Sequence, residues 1–407
     1  MKALRISILV AVGIVVSCAA SAFADTSGRI YGKLTTVDGD VYTGLIRWDK
    51  NEASWTDILN GNKDLNQSHS RKRVHDTKIK VFGIPVGERV SSGDLGSAQS
   101  GLCFGHIKML EPAGDDAARL TLKSGEKIKF RGGSSDIGDD IRGIIIEDDR
   151  EGEIEFDWGD IASIEFLPCD AGLKSRFGER LYGTLTTMRG DEYTGWVSWD
   201  ADELFTGDVI DGEEKGHSRK IEFSRIKSIG RHSSSGATLT LAGGDEIVLR
   251  ETNDVNDSNR GIAIYDGGIG ELTVDWDEFD RIEFKAPPAP PRYDDFDGGR
   301  RLAGTVYTDD GRQYAGAIRW DNDEEFTWEI LDGEYHHADF NIEFGKIKEI
   351  KPQGSHAALV TMWDGRSFAL RGSNDVDEDN RGIFVKTDGG KEVEIDWDDL
   401  DRVEFTK

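Results

Sequence analysis

Two stretches of the chain place oxygen-bearing side chains at alternate positions. One reads Asn374-Asp375-Val376-Asp377-Glu378-Asp379-Asn380-Arg381-Gly382, the other Asn253-Asp254-Val255-Asn256-Asp257-Ser258-Asn259-Arg260-Gly261. When such a loop curls, Asp375, Asp377 and Asp379, or Asp254, Asn256 and Ser258, can converge on one hard cation. That is the chemistry of the first turn of a calcium loop. Asn380 and Asn259, at the sixth position, tolerate the left-handed backbone the turn needs. The pattern is incomplete. The twelfth positions are Lys386 and Tyr265 rather than a bidentate glutamate, and the earlier copy thins to Asp136-Ile137-Gly138-Asp139-Asp140-Ile141-Arg142-Gly143. The other reading is an exposed acidic loop with no cofactor, Asn-Asp opening a turn and Arg-Gly leading into a strand.

A second acidic group follows a Trp-Asp pair: Asp200, Asp202 and Glu203, and again Asp321, Asp323, Glu324 and Glu325. It reads as turn chemistry and surface charge. Enzyme signatures are missing: no Gly-x-Ser-x-Gly, phosphate loop, Gly-x-Gly-x-x-Gly or His-Glu-x-x-His occurs. His336-His337 reads as an exposed turn. The chain is therefore read as non-catalytic, with a glycan-acting enzyme as the remote alternative.

These loops belong to a unit that the chain repeats. RIYGKLTTVDGDVYTGLIRWD begins at Arg29, RLYGTLTTMRGDEYTGWVSWD at Arg180 and RLAGTVYTDDGRQYAGAIRWD at Arg301. Self-similarity of this kind marks repeated folding units. Trp199 and Trp320 stand 121 residues apart, but Trp48 and Trp199 stand 151 apart, so repeat one carries an insert. The boundaries follow: 25–170 for repeat one with an inserted loop at 62–100, 176–285 for repeat two, a Pro-rich linker at 286–299, and 300–407 for repeat three. Prolines crowd the linker and stiffen it.

Each repeat alternates apolar residues around Gly-containing turns, the signature of β-hairpins. Both halves of a repeat close on one phrase, as in Val274-Asp-Trp276-Asp-Glu-Phe279-Asp-Arg-Ile282. Its three-residue step implies one tight helical turn between two short strands. This ending resembles the closure of SH3-like small barrels. The opening, with Gly183, Gly190, Gly195 and Asp200 and their counterparts in the other repeats, resembles the Sm-like branch of those barrels. The resemblance implies an all-β chain of three tandem repeats, each a pair of SH3-like barrels, six in total. Sm-like proteins bind RNA, but their RNA-contacting residues are not recognisable here. Trp48, Trp199 and Trp320 read as core anchors, with ligand stacking as the alternative.

Residues 1–24 read as a signal peptide: Lys2 and Arg5, an apolar run, then Ala22-Phe23-Ala24 before Asp25. Val15-Val16-Ser17-Cys18 also resembles the lipobox of bacterial lipoproteins, with Cys18 as the lipidated residue. No later run approaches the ~20 apolar residues of a membrane span. Removing 1–24 moves the formal charge from −28 to −30, which repels nucleic acid and favours cations and basic partners. Cys103 and Cys169 lie in repeat one alone and, in an oxidising compartment, suggest one disulfide. The functional expectation is an exported binding or scaffold protein, periplasmic or envelope-associated. Its acidic modules would face a protein or cell-wall glycan partner, or a second copy of the chain. The alternative is a Ca2+-binding envelope protein.

Overall fold

The computed structural model describes residues 25–64, 80–81, 84–85, 97–132, 134–148 and 150–407. The signal peptide, Cys18 and most of the insert lie outside the described residues. Among the described residues the chain is all-β, 53% strand, without a helix of seven residues or more. Three antiparallel sheets of ten, twelve and eight strands account for it, beside a two-stranded one, and none closes into a barrel.

The eight-stranded sheet runs Ser367–Leu370, Ala358–Met362, Ile347–Pro352, Leu400–Phe405, Ala303–Thr308, Gln313–Arg319, Ile383–Thr387, Glu392–Ile395. Equivalent strands follow the same order from Glu246–Arg250 to Gly270–Val274 in the twelve-stranded sheet. They do so again from Lys127–Arg131 to Gly152–Phe156 in the ten-stranded one. At the centre of each sheet the first and last strands of a repeat pair: Gly32 with Phe166, Gly183 with Phe284, Gly304 with Phe405. The closed barrels expected for each half are thus not formed. The halves interleave: the hairpin Tyr31–Thr36 and Val41–Trp48 is extended on both sides by Ile161–Phe166 and Ile144–Asp148, strands from the far end of the repeat.

The shared glycines reflect this pairing. A Cβ on Gly44, Gly195 or Gly316 would come within 2.0, 2.1 and 2.2 Å of the carbonyl oxygens of Glu147, Tyr265 and Lys386. The strand crossing therefore admits only glycine. The expected tight turn before the closing strands is present, as 3-10 turns at Phe104–His106, Trp158–Asp160, Phe223–Arg225, Phe344–Lys346 and Trp397–Asp399.

The insert occupies a hairpin tip. Glu214 pairs with His217 across Lys215-Gly216, and Tyr335 with Ala338 across His336-His337, whose φ values are 51 and 66°. In repeat one the equivalent pair is Asp64 with Ser97, so the extra residues run 65–96, tighter than the 62–100 of the sequence reading. In repeats one and two this hairpin joins its own sheet, through Asn62–Arg131 and Glu213–Arg250. In repeat three the hairpin keeps the equivalent bridge, Glu334–Arg371, and Ala338–Glu343 in addition pairs with Gly270–Val274 of repeat two, from Glu271–Asn341 to Val274–Ala338.

One apolar core runs through repeats two and three, and a second through repeat one. The second takes in Tyr293 and Phe296 from the linker and Trp328 from repeat three. The Pro-rich segment is therefore packed against repeat one. The Tyr293 hydroxyl donates to the Ile107 carbonyl at 2.9 Å, and Phe296 fills the space where a Cβ on Gly105 would sit, 2.3 Å away.

Candidate functional site

Strand two of each repeat runs into a tryptophan, Trp48, Trp199 or Trp320, and the chain then reverses through two left-handed residues. These are Asp49 and Lys50, Asp200 and Ala201, Asp321 and Asn322, with φ between 44 and 67°. The backbone closes on itself, as where Trp320 N donates to Glu324 O at 2.8 Å and Glu324 N to Trp320 O at 3.0 Å. This double left-handed turn points the aspartate inward. Asp49, Asp200 and Asp321 are each 0% exposed.

An arginine from the acidic loop locks each aspartate. Arg142 N donates to Asp49 Oδ1 at 2.5 Å and its Nη2 to Oδ2 at 3.2 Å; Arg260 gives 2.6 and 3.0 Å on Asp200. Arg381 holds Asp321 in the same way, with Nε at 2.9 Å and Nη2 also reaching Asp323 at 2.5 Å. Ser135, Asn253 and Asn374 donate a further hydrogen bond to Asp49, Asp200 and Asp321. Repeat one has Asn51 where the others have Asp202 and Asp323, and Arg142 Nη1 reaches across to Asp202 at 3.7 Å. A buried charge with a bidentate arginine and a backbone N–H is compensated.

The acidic loop is clamped at its first residue. The indoles of Trp48, Trp199 and Trp320 donate to the carbonyls of Asp136, Asp254 and Asp375 at 2.9, 2.9 and 3.0 Å. The same aspartates accept at Oδ2 from Asn60 N, Asp211 N and Asp332 N at 2.7, 2.8 and 3.0 Å. Of the residues proposed from sequence as cation ligands, Asp254 and Asp375 therefore point into the core. Asn256 and Asp377 do not join them: Asn256 Oδ1 accepts from Ser258 N at 2.8 Å, and Asp377 Oδ1 from Asp379 N at 2.9 Å. Ser258 and Asp379 are exposed. Asp375 is brought together with Asp321 and Glu324, one carboxylate oxygen of each within 4.8 Å of the others, and Asp200 with Asp202 and Glu203. The group read from sequence as surface charge is thus buried in large part, Glu324 being 7% exposed.

Burial raises the carboxyls of Glu52, Glu324 and Asp375 well above their usual range, reinforced by neighbouring acids. Burial likewise carries Asp136 and Glu271 to about 7, with Asp49 and Asp57 respectively adding to the effect. An acid whose folded pKa is raised contributes stability that is full below its unfolded value and is lost as pH rises through the folded one. The melting temperature is therefore expected to fall as pH rises from about 4 to about 7. Glu271→Gln should flatten part of that slope in calorimetric scans. A melting temperature that climbs through the window would contradict the assignment.

The structure also shows sockets that the sequence reading missed. Asp57, Asp208 and Glu329, at equivalent positions, each accept two backbone N–H groups on one oxygen. The other oxygen takes a base from another repeat: Arg180 on Asp57 and Arg47 on Asp208, each at 3.1 Å, and Lys63 on Glu329. The sequence sign of the socket is an acid nine positions after the tryptophan that strand two runs into: Asp57 after Trp48, Asp208 after Trp199, Glu329 after Trp320. A further junction of repeats one and three sets His106 Nε2 3.1 Å from Glu343 Oε1, while Gly298 N donates to His106 Nδ1 at 3.1 Å. Burial pushes Glu343 up, but the His106 hydrogen bond and Lys346 override it and hold it at about 2.

Trp48, Trp199 and Trp320 are each 0% exposed, which is the core position read from sequence and leaves no face for the alternative, a stacked ligand. One expectation is corrected. Cys103 and Cys169 are buried free thiols rather than a disulfide, each packed against a different main-chain carbonyl, of Thr56 and Asp170. A cleft lies elsewhere, between repeats one and two, lined by Arg29, Arg180, Trp196 and the linker prolines, among others, and by none of the buried acid clusters. Among the described residues no helix is long and apolar enough to cross a membrane. No family model, curated protein or solved structure matches the chain.

Proposed function

We propose that the chain is an exported, non-catalytic scaffold of the bacterial cell envelope, built from three tandem acidic modules. The observation that carries this reading is the same aspartate–arginine lock made three times. Each lock fixes the arginine end of an acidic loop whose first residue the tryptophan clamps, and the loop tip, such as Asp257-Ser258 or Glu378-Asp379, stays in solvent. Rigid, repeated presentation of one charged feature favours a multivalent partner, because linked weak contacts add through effective concentration. The partner would be a basic protein, a cell-wall glycan or a second copy of the chain. Export rests on the reading of residues 1–24, with anchoring through Cys18 as its variant. Strand order favours the six small barrels in an open form. The closing strand of each repeat, entered through a single tight turn, pairs back on its first, as Leu400–Phe405 does on Ala303–Thr308.

The test is capture from envelope extract with immobilised residues 25–407, followed by elution with salt. Recovery of a basic protein or glycan fragments at low salt, lost near about 0.5 M where surface charges are screened, is the expected result. A monomer that retains nothing reproducible contradicts the reading.

A further inference from the structure

We propose that repeat three holds a hard divalent cation, Ca2+, between Asp321, Glu324 and Asp375. One carboxylate oxygen of each lies within 4.8 Å of the other two. Ca2+ accepts several protein carboxylates in a flexible geometry, whereas Mg2+ demands a near-ideal octahedron and usually keeps several waters with one or two carboxylates. A buried set of three carboxylates suits Ca2+.

Acids in a group are ordinary on a protein surface, but these are not on the surface. Asp321, Asp375 and Glu324 are 0, 4 and 7% exposed. Glu324 Oε2 is buried in this cluster without a hydrogen-bond partner. An unmatched carboxylate oxygen in an apolar setting is costly, and Lys63, near enough to act on it, bonds Glu329 and the Asp323 carbonyl instead. Asp321 is committed to Arg381 and Asn374, and Asp375 Oδ2 to Asp332 N. Two bases, Arg381 and Lys63, face Asp321, Asp323, Glu324, Glu329, Asp332 and Asp375, so the acids outnumber the bases. A cation supplies the missing partner of Glu324 in place of a proton.

The ligand set differs from the alternating loop pattern of the sequence, since Asp377 and Asp379 take no part, and it stands independently of the scaffold reading. The other repeats fall short of it. In repeat one the Glu52 oxygens are also unmatched, but Asp136 Oδ2 is taken by both nitrogens of Asn60. In repeat two the grouped acids are Asp200, Asp202 and Glu203, of which only Asp200 is fully buried.

The experiment uses residues 25–407 stripped with EDTA. Bound Ca2+ is counted by equilibrium dialysis, melts are compared in Ca2+ and in Mg2+, and Tb3+ emission is excited through Trp320, whose indole donates to Asp375 O. The expected results are about one Ca2+ per chain and a melt raised by a few degrees at about a hundred times Kd. The shift with Mg2+ should be smaller, and Ca2+ should displace the Tb3+ emission. Glu324→Gln should lose all of these. As a neutral isostere in a buried place it should still melt no lower than the stripped parent, which separates lost binding from lost folding. Should it not fold, Asp375→Asn is read in the same way. Exposed Asp379→Asn should bind as the parent does. No Ca2+ uptake by the parent, or undiminished uptake by Glu324→Gln, overturns the site. So does uptake lost in Asp379→Asn but kept in Glu324→Gln, which would return binding to the loop tip.

Discussion

Arg180→Ala is expected to lower the stability of the chain by about 3–5 kcal/mol, the cost of leaving a buried charge without its partner. Arg180 and Asp57 have side chains only 7 and 10% exposed, with Nη2 and Oδ1 3.1 Å apart. The guanidinium makes further bonds that alanine deletes: Nε to Ser54 Oγ at 2.7 Å, and Nη1 to the carbonyls of Val197 and Leu204 at 3.1 and 3.3 Å. Asp57 keeps its two backbone donors after truncation but loses its countercharge. Urea denaturation should show the loss, and the double variant Arg180→Ala/Asp57→Asn should recover part of it, because the orphaned charge is then gone. A loss below about 1 kcal/mol, typical of exposed pairs, would mean that the junction between repeats one and two is held by packing alone.

Trp320→Ala should be as damaging, again about 3–5 kcal/mol, through the cavity it opens in a packed core. Trp320 is 0% exposed and lies between Phe344 and Trp397, with ring centroids at 6.4 and 6.2 Å. Trp320→Phe retains most of the volume but not the indole N–H. It leaves Asp375 O without its donor, so about 1–3 kcal/mol should still be lost. The graded pair separates packing from clamping. If alanine cost little, the residue would have to be a surface feature after all.

Much of the local structure was legible in the chain. Alternation such as Leu185-Thr-Thr187 gave the hairpins, and the burial of Tyr182–Thr187 alternates accordingly. The spaced apolar positions around Trp158 and Phe104 gave the single turns before the closing strands. What escaped was decided by distant residues. Asp254 and Asp375 sit among charged neighbours and read as solvent-facing. Their environment is set by Trp199 and Trp320, 55 positions away, and by amides 43 positions away. Closure of the barrels failed for the same reason, since Gly32, paired with Gly44 on one side, finds Phe166 from the other half on its second side. The opening arginines show the limit of reading by repeat. Arg29 is buried, and its stacking over Phe205 at 4.1 Å is set by the junction. Arg301 is exposed and pairs with Glu325. One phrase meets different neighbours in different copies.

The hairpin that repeat three lends to repeat two bears on how such a chain grows or is cut. Its partner strand, Gly270–Val274, is buried at every position. Ending the chain at residue 299 would strip that strand of its neighbour and leave a bare, apolar sheet edge, an invitation to aggregate. Duplication could add a copy at the genetic level in one step. The resulting polypeptide would become soluble only once the new copy's hairpin had docked on the old one's edge. The unit of inheritance in this chain is one repeat, while the smallest unit that repeats two and three allow to fold cleanly is the pair.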